Sequence, residues 1–551
     1  MPVFALLLLL AAGPDSSRLD ARARNAQAQF ESARMLLLRT GEAGGSGCDA
    51  RIGRFCYSYS GESGGDLPKE PQTVAKERLK LLAVLDSTAR ALPGDGWVAG
   101  QRVRYWIEAG QSDSATGAAR ECRAEAWWCA ALLGLSRHAA GDFAAAEQAY
   151  HVALDSMAED QRCRWTDLSD LLDDPLRARY RALPCAGRDT LADRVWWLAQ
   201  PLWSLSGNDR RTEHYARHTM ARLLADSRWA LADWGSDARE LIVRYGWPLA
   251  FESDDCGGMC RPVPLGYLQE PSFHFLPDGR EADAGLPGDS DQALDPRWAR
   301  ERYAPAWAAT FRQLAPSFET FRRGDSTLVV VTYDVSADTA FADPGLVAAL
   351  VLQRDARTPP VVVRDSGAAP SGVLTAAAAW EPALLALEIR SPAHRAAGRS
   401  RARPPAMRET AGAVGPSGLV LFDPIDPLPA SLEAALARAH AGALRAGTRI
   451  GLYWEVYGLE TGEDFATAVT VAPLREGLFH RLAAAVGLAA KTGRVRLEWH
   501  EPARPEHAAQ SRALLLDLSG LGPGRYRLEV TVSAPGSAPA TASRVVTVVR
   551  P

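Results

Sequence analysis

The chain has 551 residues, 47% of them hydrophobic and 23% charged, with a formal net charge of −4. That length is too great for one core and predicts several domains. The near balance of charge excludes a dedicated nucleic-acid binder, which needs a strongly basic face.

The chain opens on an apolar run, Val3–Ala12, that is too short to span a bilayer, which takes about 20 residues. With Ala11-Ala12-Gly13 as a small-residue cleavage site, residues 1–13 read as a signal peptide, and export to the periplasm or cell surface follows. No later segment is long and apolar enough to predict a transmembrane span. All eight cysteines lie in the front half: Cys48, Cys56, Cys122, Cys129, Cys163, Cys185, Cys256 and Cys260. In an exported chain an even count favours disulfides over inert thiols or a zinc site. Cys122 and Cys129 would lie roughly 10 Å apart on one unbroken helix, so they need either a helix break or outside partners such as Cys163 or Cys185. Cys256-Gly-Gly-Met-Cys260 has the glycines to close a small ring.

Residues 15–175 read as helical repeats. Ser17–Arg39 and Pro71–Leu92 carry apolar residues at three- and four-residue spacing, and the Gly/Ser-rich stretch between them holds Cys48 and Cys56. Ala130, Leu133, Gly134, Gly141, Phe143, Ala146, Tyr150, Ala153 and Leu154 match the spacing of a tetratricopeptide repeat, with a worn copy near Trp97–Ala119. Gly134 and Ala146 permit close helix approach, Gly141 turns the chain, and Tyr150 fills the gap to the next helix. The alternative is a plain helical bundle.

Residues 189–276 predict helices at Thr190–Leu205 and Asp209–Ser227. A hairpin of strands Leu241–Tyr245 and Ser272–Leu276 would then enclose the Cys256–Cys260 ring. Trp234, Gly235, Asp237, Arg244, Tyr245, Gly246 and Pro248 resemble the GWxTD domain, a bacterial domain found in exported proteins beside tetratricopeptide repeats. Trp-Gly replaces the family's Gly-Trp order, and Trp247 interrupts the usual turn. The resemblance implies architecture and leaves the chemistry open. Within the segment, Asp237 is expected to hydrogen-bond loop backbone and Gly246 to take a positive φ.

A connecting helix is predicted over 297–325. Two β-sandwiches follow, over 326–422 and 445–551. The first takes strands Thr327–Val335, Leu346–Arg354, Pro360–Arg364, Gly372–Ala378 and Leu384–Arg390, with Gly418–Phe422 as a sixth. In the second, Arg449–Tyr457 alternates, with Ile450, Leu452, Trp454 and Val456 on one face. Arg525–Val532 behaves alike, and the module resembles an immunoglobulin or fibronectin type III sandwich. Arg395, Arg399, Arg401, Arg403 and Arg408 read as a solvated linker between the modules. The fold class is therefore multidomain α+β.

Chemistry is sparse. Glu213, His214 and His218 form the best metal-like cluster, since imidazoles four apart share a helix face. Ala216, Met220 and Leu223 form the apolar face, so both histidines are expected to be exposed. His500-Glu501 and Glu506-His507 lack the spacing of a helical metal motif. Gly415-Pro416-Ser417-Gly418 lacks the second glycine of a nucleophile elbow, and Ala490-Lys491-Thr492 the glycine of a phosphate loop. Trp127, Trp128, Trp196, Trp197 and Trp203 fall at helical spacing and read as core, with a partner groove as the alternative. The expectation is a non-catalytic exported protein with a protein partner and no cofactor. The rival is a hydrolase or metal-dependent enzyme gathering Glu213, His214 or His218, and Asp237 in one cleft.

Overall fold

The computed structural model describes residues 14–41, 48–58, 67–229, 231–254, 264–285, 299–379, 381–404, 414–474, 495–503 and 509–550. The 1–13 segment, Cys256, Cys260, Arg408, Lys491, Glu506 and His507 lie outside them. The chain divides into two compact units, Met1–Ala309 and Thr310–Pro551.

The first unit is mainly helical: α1 (Pro14–Leu37), α2 (Gln72–Ala91), α3 (Gly96–Glu108), α4 (Ser112–Glu121), α5 (Ala126–Ala139), α6 (Phe143–Asp155), α7 (Glu159–Trp165), α8 (Asp174–Ala182), α9 (Asp189–Ala199), α10 (Asp209–Ala225), α11 (Ser236–Tyr245) and α12 (Gly279–Ala284). Helices pack in sequential pairs, α1 on α2, α3 on α4 and α5 on α6. Each pair is set by local chemistry. Asp95 caps α3 by accepting from Trp97 N and Val98 N at 2.9 and 3.0 Å. Gly141 turns the chain at φ +77°, and Asp142 caps α6. A Cβ at Gly134 would lie 2.8 Å from the Tyr150 ring, so glycine is what lets α5 and α6 close on each other. Tyr150 also meets Tyr215 of α10 at 5.4 Å.

Short strands staple this unit: β1 (Thr40–Gly41), the hairpin β2 (Ala50–Ile52) and β3 (Phe55–Tyr57), and the hairpin β4 (Ala250–Asp254) and β5 (Pro264–Tyr267), with β1 parallel to β4. Cys48–Cys56, Cys122–Cys129 and Cys163–Cys185 are disulfides. For Cys122–Cys129 the helix-break alternative holds. Cys122 ends α4, α5 starts only at Ala126, and the Cα atoms are 5.5 Å apart.

Three expectations fail here. Leu241–Tyr245 is the end of helix α11 and not a strand: Ala238, Ile242 and Tyr245 are buried at helical spacing, which outweighs the β propensity of the segment. The hairpin of this segment is β4–β5 instead, and Ser272–Leu276 takes part only in a lone bridge, Phe273 to Tyr303. The helix predicted over Thr190–Leu205 stops at Ala199, because Pro201 cannot continue it.

The second unit is β-rich. Its first half has β6 (Thr310–Gln313), β7 (Ser317–Arg323), β8 (Ser326–Asp334), β9 (Leu346–Gln353), β10 (Val361–Ala368), β11 (Ser371–Ala378), β12 (Leu384–Ser391) and β13 (Ala396–Ala402). They form two sheets, ordered β10-β9-β12-β13-β6 and β11-β8-β7. Val331, Tyr333, Leu350, Leu352, Leu385 and Ile389 fill the space they share. The second half has β14 (Gly415–Pro416), β15 (Val420–Phe422), a turn of helix α13 (Leu432–Leu436), β16 (Leu444–Arg445), β17 (Arg449–Tyr457), β18 (Asp464–Pro473), β19 (Val495–Pro502), β20 (Ala509–Asp517), β21 (Gly524–Ser533) and β22 (Ala540–Val549). Strand β17 carries β14 and β15 on one edge and β20 on the other, and faces the sheet β16-β22-β21-β18-β19.

The connecting helix predicted over 297–325 is absent among the described residues. Pro305 and Pro316 break it, and 310–323 pairs as β6 and β7 instead. Gly418–Phe422 contributes β15 to the second sandwich and not the first. The arginine linker is partly strand: Arg399 and Arg401 lie in β13, with Arg399 buried beside the Phe311 ring.

Candidate functional site

Helix α10 is the chemical centre of the first unit. Asn208 caps it by accepting from Arg211 N at 2.9 Å, after Gly207 turns the chain at φ +79°. A Cβ at Gly207 would sit 2.5 Å from the Ala144 backbone nitrogen, so the helix start is pressed onto α6. Charged residues occur on every side of α10, yet nearly all are buried. Burial of that kind requires partners, and the structure supplies them for the ionised groups, while His214 Nδ1, His218 Nε2 and one Arg210 nitrogen stay without a hydrogen bond.

Arg217 donates through Nε to Glu213 at 2.6 Å. Its remaining nitrogens donate to the carbonyls of Val243, Arg244 and Arg302 at 3.2, 2.7 and 2.6 Å. The other Glu213 oxygen meets His138 Nε2 at 2.7 Å, while His138 Nδ1 is 2.9 Å from Thr212 Oγ1. Arg217 and His138 together hold the Glu213 carboxyl far below the usual carboxylate range against the opposing effect of burial. Arg210 pairs with Glu301, whose other oxygen meets His274 Nδ1 at 2.8 Å. Asp209 accepts from Tyr303 Oη at 3.1 Å and Trp307 Nε1 at 3.0 Å. Burial nevertheless pushes Asp209 up to about 6.

The structure separates the predicted site residues. His214 and His218 are not exposed: they are 0% and 8% accessible, because α10 is wrapped on all sides. His214 Nε2 donates to the Trp165 carbonyl at 3.1 Å, and its ring lies 4.6 Å from that of His218. Burial holds both imidazoles neutral, His218 down to about 3. Glu213 turns away to Arg217 and His138, and no group of three metal-ligating side chains forms among the described residues. Asp237 lies at the start of α11, where it binds Arg54 through the guanidinium at 2.7 and 2.9 Å and the backbone nitrogen at 3.1 Å. It shares no hydrogen-bond partner with Glu213, His214 or His218.

The remaining residues of the Trp-Gly-x-Asp segment are also structural. Trp234 packs edge-on to Trp229 at 5.9 Å, and Gly235 precedes α11. Arg244 donates to the Arg300 carbonyl at 2.6 Å and pairs with Glu240. Tyr245 stacks on Tyr57 at 4.1 Å. Gly246 ends α11 at φ +93° above the Arg217 guanidinium, and Pro248 lies against Gly266. Trp127, Trp128, Trp196 and Trp203 are core residues. In the second unit Ser417 is buried, donating to Gly418 O and accepting from Glu455 N.

Sequence reading missed His138, His274, Glu301, Asp209, Arg210 and Arg217. The one available signal was a helix with charges on all faces, which a surface helix does not need.

The network makes the stability of the first unit depend on pH. Asp209 titrates near 6 folded and at about 3.9 unfolded. The native state therefore holds this proton more tightly, so the Asp209 contribution falls as pH rises from 4 to 6 and stays low above. Glu213 and Glu301, both depressed, act oppositely: their stabilisation is present above about 4.3 and is lost as pH falls through their folded values. Asp209→Asn is expected to raise unfolding free energy at pH 7 by about 1–3 kcal/mol and to leave stability at pH 4 nearly unchanged. Urea titrations of the full chain at the two pH values check it; an equal effect at both refutes the assignment.

No protein-family model matches the chain, and no curated protein does. Among solved structures, the soluble domain of PmoD from Methylocystis sp. is 16% identical, covering 24% of this chain and 89% of that one, at TM-score 0.14. Red sea bream transglutaminase is 9% identical over 47% and 37% of the two chains, at TM-score 0.16. The FN1–FN3 domains of chicken CNTN1 are 11% identical over 43% and 68%, at TM-score 0.14. Similarity at this level carries no argument about fold or activity.

Proposed function

We propose that the protein is an exported bacterial contact protein without catalytic activity, working through its helical face. In this reading the paired helices α3–α4 and α5–α6 are tetratricopeptide-like repeats, and 189–276 is a GWxTD-like module. The two sandwiches, immunoglobulin- or fibronectin-like, act as spacers or further docking faces. The observation that carries it is the fate of the reactive side chains: Glu213 and Glu301 bind the buried arginines Arg217 and Arg210, and Asp237 is taken up by the surface arginine Arg54. Disulfides in the helical unit fit folding in an oxidising compartment.

Val152, on α6 and 54% exposed, is a probe of that face. Affinity capture from envelope extract with the intact mature chain is expected to retain a stoichiometric protein, and Val152→Glu to lose it while keeping the wild-type melting temperature. Retention by both proteins, or turnover of a small molecule by the purified chain, overturns the reading.

A further inference from the structure

A cleft of about 350 Å³ opens in the first unit between the helices α1–α3 and the hairpin β4–β5. One wall is Trp247, Pro248 and Phe251; Val74 and Ile107 lie on the helical side. Trp247 is the residue that interrupts the turn after Gly246, so that departure in sequence lands on a surface of the cleft. Leu249, 51% exposed, lies at its rim.

The polar groups are few and deeply set. Arg34 and Arg78 line the cleft at 1% and 4% exposure, and each keeps an Nε–H without a hydrogen-bond partner. Both act on the Glu108 carboxylate, but their direct ion pairs differ. Arg34 pairs with Glu31 and Glu108, and its guanidinium lies 4.6 and 5.0 Å from the Phe30 and Phe251 rings. Glu108, held ionised by Arg34 and Arg104, is fixed in place. Arg78 pairs with Glu70, whose side chain is 36% exposed at the mouth. The Glu70 carboxylate has water to rotate into, whereas Arg78 remains buried and is costly to leave unpaired, so an exchange of Glu70 needs a second carboxylate to take its place.

We propose that this cleft binds a small carboxylic acid with an apolar body. Its carboxylate replaces Glu70 on Arg78 and accepts the unpaired Nε–H, giving the parallel two-bond geometry that favours arginine for carboxylates. The body packs against Trp247, Phe251 and Ile107. Unpaired groups here are donors on cations, which call for an anionic acceptor and disfavour a cationic ligand. An apolar pocket with few convergent polar groups is the usual form of a small-ligand site. This site is independent of the contact face proposed above.

The test is calorimetric titration of the full chain with 3-phenylpropionate and octanoate, each against its amide. The acids are expected to bind about tenfold more tightly than the amides. Arg78→Gln is expected to erase that preference, Glu70→Gln to strengthen acid binding, and Ile107→Trp to abolish binding by filling the cleft. An N-acetylated peptide with a free C-terminal phenylalanine separates the sources: tighter binding than the short acids identifies a polypeptide end, weaker binding a free acid, and either upholds the site. Equal affinity for acid and amide, binding that survives Ile107→Trp, or no binding of either acid at millimolar concentration overturns it.

Discussion

Arg217→Met is expected to lower the unfolding free energy of the helical unit by about 3–5 kcal/mol. The guanidinium is buried, at 2% exposure, and serves four acceptors: the Glu213 carboxylate and the carbonyls of Val243, Arg244 and Arg302. Methionine fills similar volume but donates nothing. Three buried carbonyls lose a donor, and Glu213 keeps only the His138 contact. A buried carboxylate stripped of its arginine is the costly part. The double variant Glu213→Gln, Arg217→Met should therefore recover part of the loss, a non-additivity that a cavity effect would not give. Urea unfolding of the full chain, followed by tryptophan fluorescence, measures it. A loss below about 1 kcal/mol would mean that the pair is not what holds α10 to α11 and to the Arg302 segment.

Glu455→Ala should destabilise the β-rich unit by about 3 kcal/mol, on the scale of stranded buried hydrogen-bond donors. Glu455 lies on β17, a strand buried on both faces. Ile450, Leu452, Trp454 and Val456 enter the core of the second sandwich, while Tyr453 packs with Phe321, Val330 and Phe422 in a cluster shared with the first. On that second face Glu455 accepts from Tyr453 Oη at 3.0 Å, Tyr457 Oη at 2.6 Å, and Arg323 at 2.7 and 3.0 Å. Both phenols are held protonated, well above their ordinary range, by burial and by this carboxylate. Glutamine keeps one acceptor oxygen, so Glu455→Gln should cost clearly less. Scanning calorimetry of the full chain is the measurement. In the wild type the two sandwiches should unfold in one transition, and in Glu455→Ala that transition should broaden or split. Equal effects of alanine and glutamine would show that packing volume, and not the acceptor, matters at this position.

The alternating apolar residues of β17 and β21 were legible because a two-residue period puts one face inward whatever the neighbouring sheet is. The helix pair around Gly134 and Tyr150 was legible for a like reason, since close approach needs a small residue opposite a large one. Leu241–Tyr245 misled because Leu-Ile-Val-Arg-Tyr suits a strand, and only burial of Ala238, Ile242 and Tyr245 shows the helical period. The exposed-face reading of His214 and His218 failed because a single helix cannot show how many neighbours surround it.

By itself the sequence determined the helical front and the β-rich back, most strand positions, the Cys-rich half, and the need for glycine at Gly134 and Gly246. These follow from periodicity and backbone sterics, which act over a few residues. Only the tertiary structure decided that α10 is enclosed, that Glu213 answers to Arg217 and His138, and that Arg34, Arg78 and Trp247 meet around one cleft. Those pairings join segments far apart in the chain, and whether a charge is a site or a strut depends on the partner that burial brings to it.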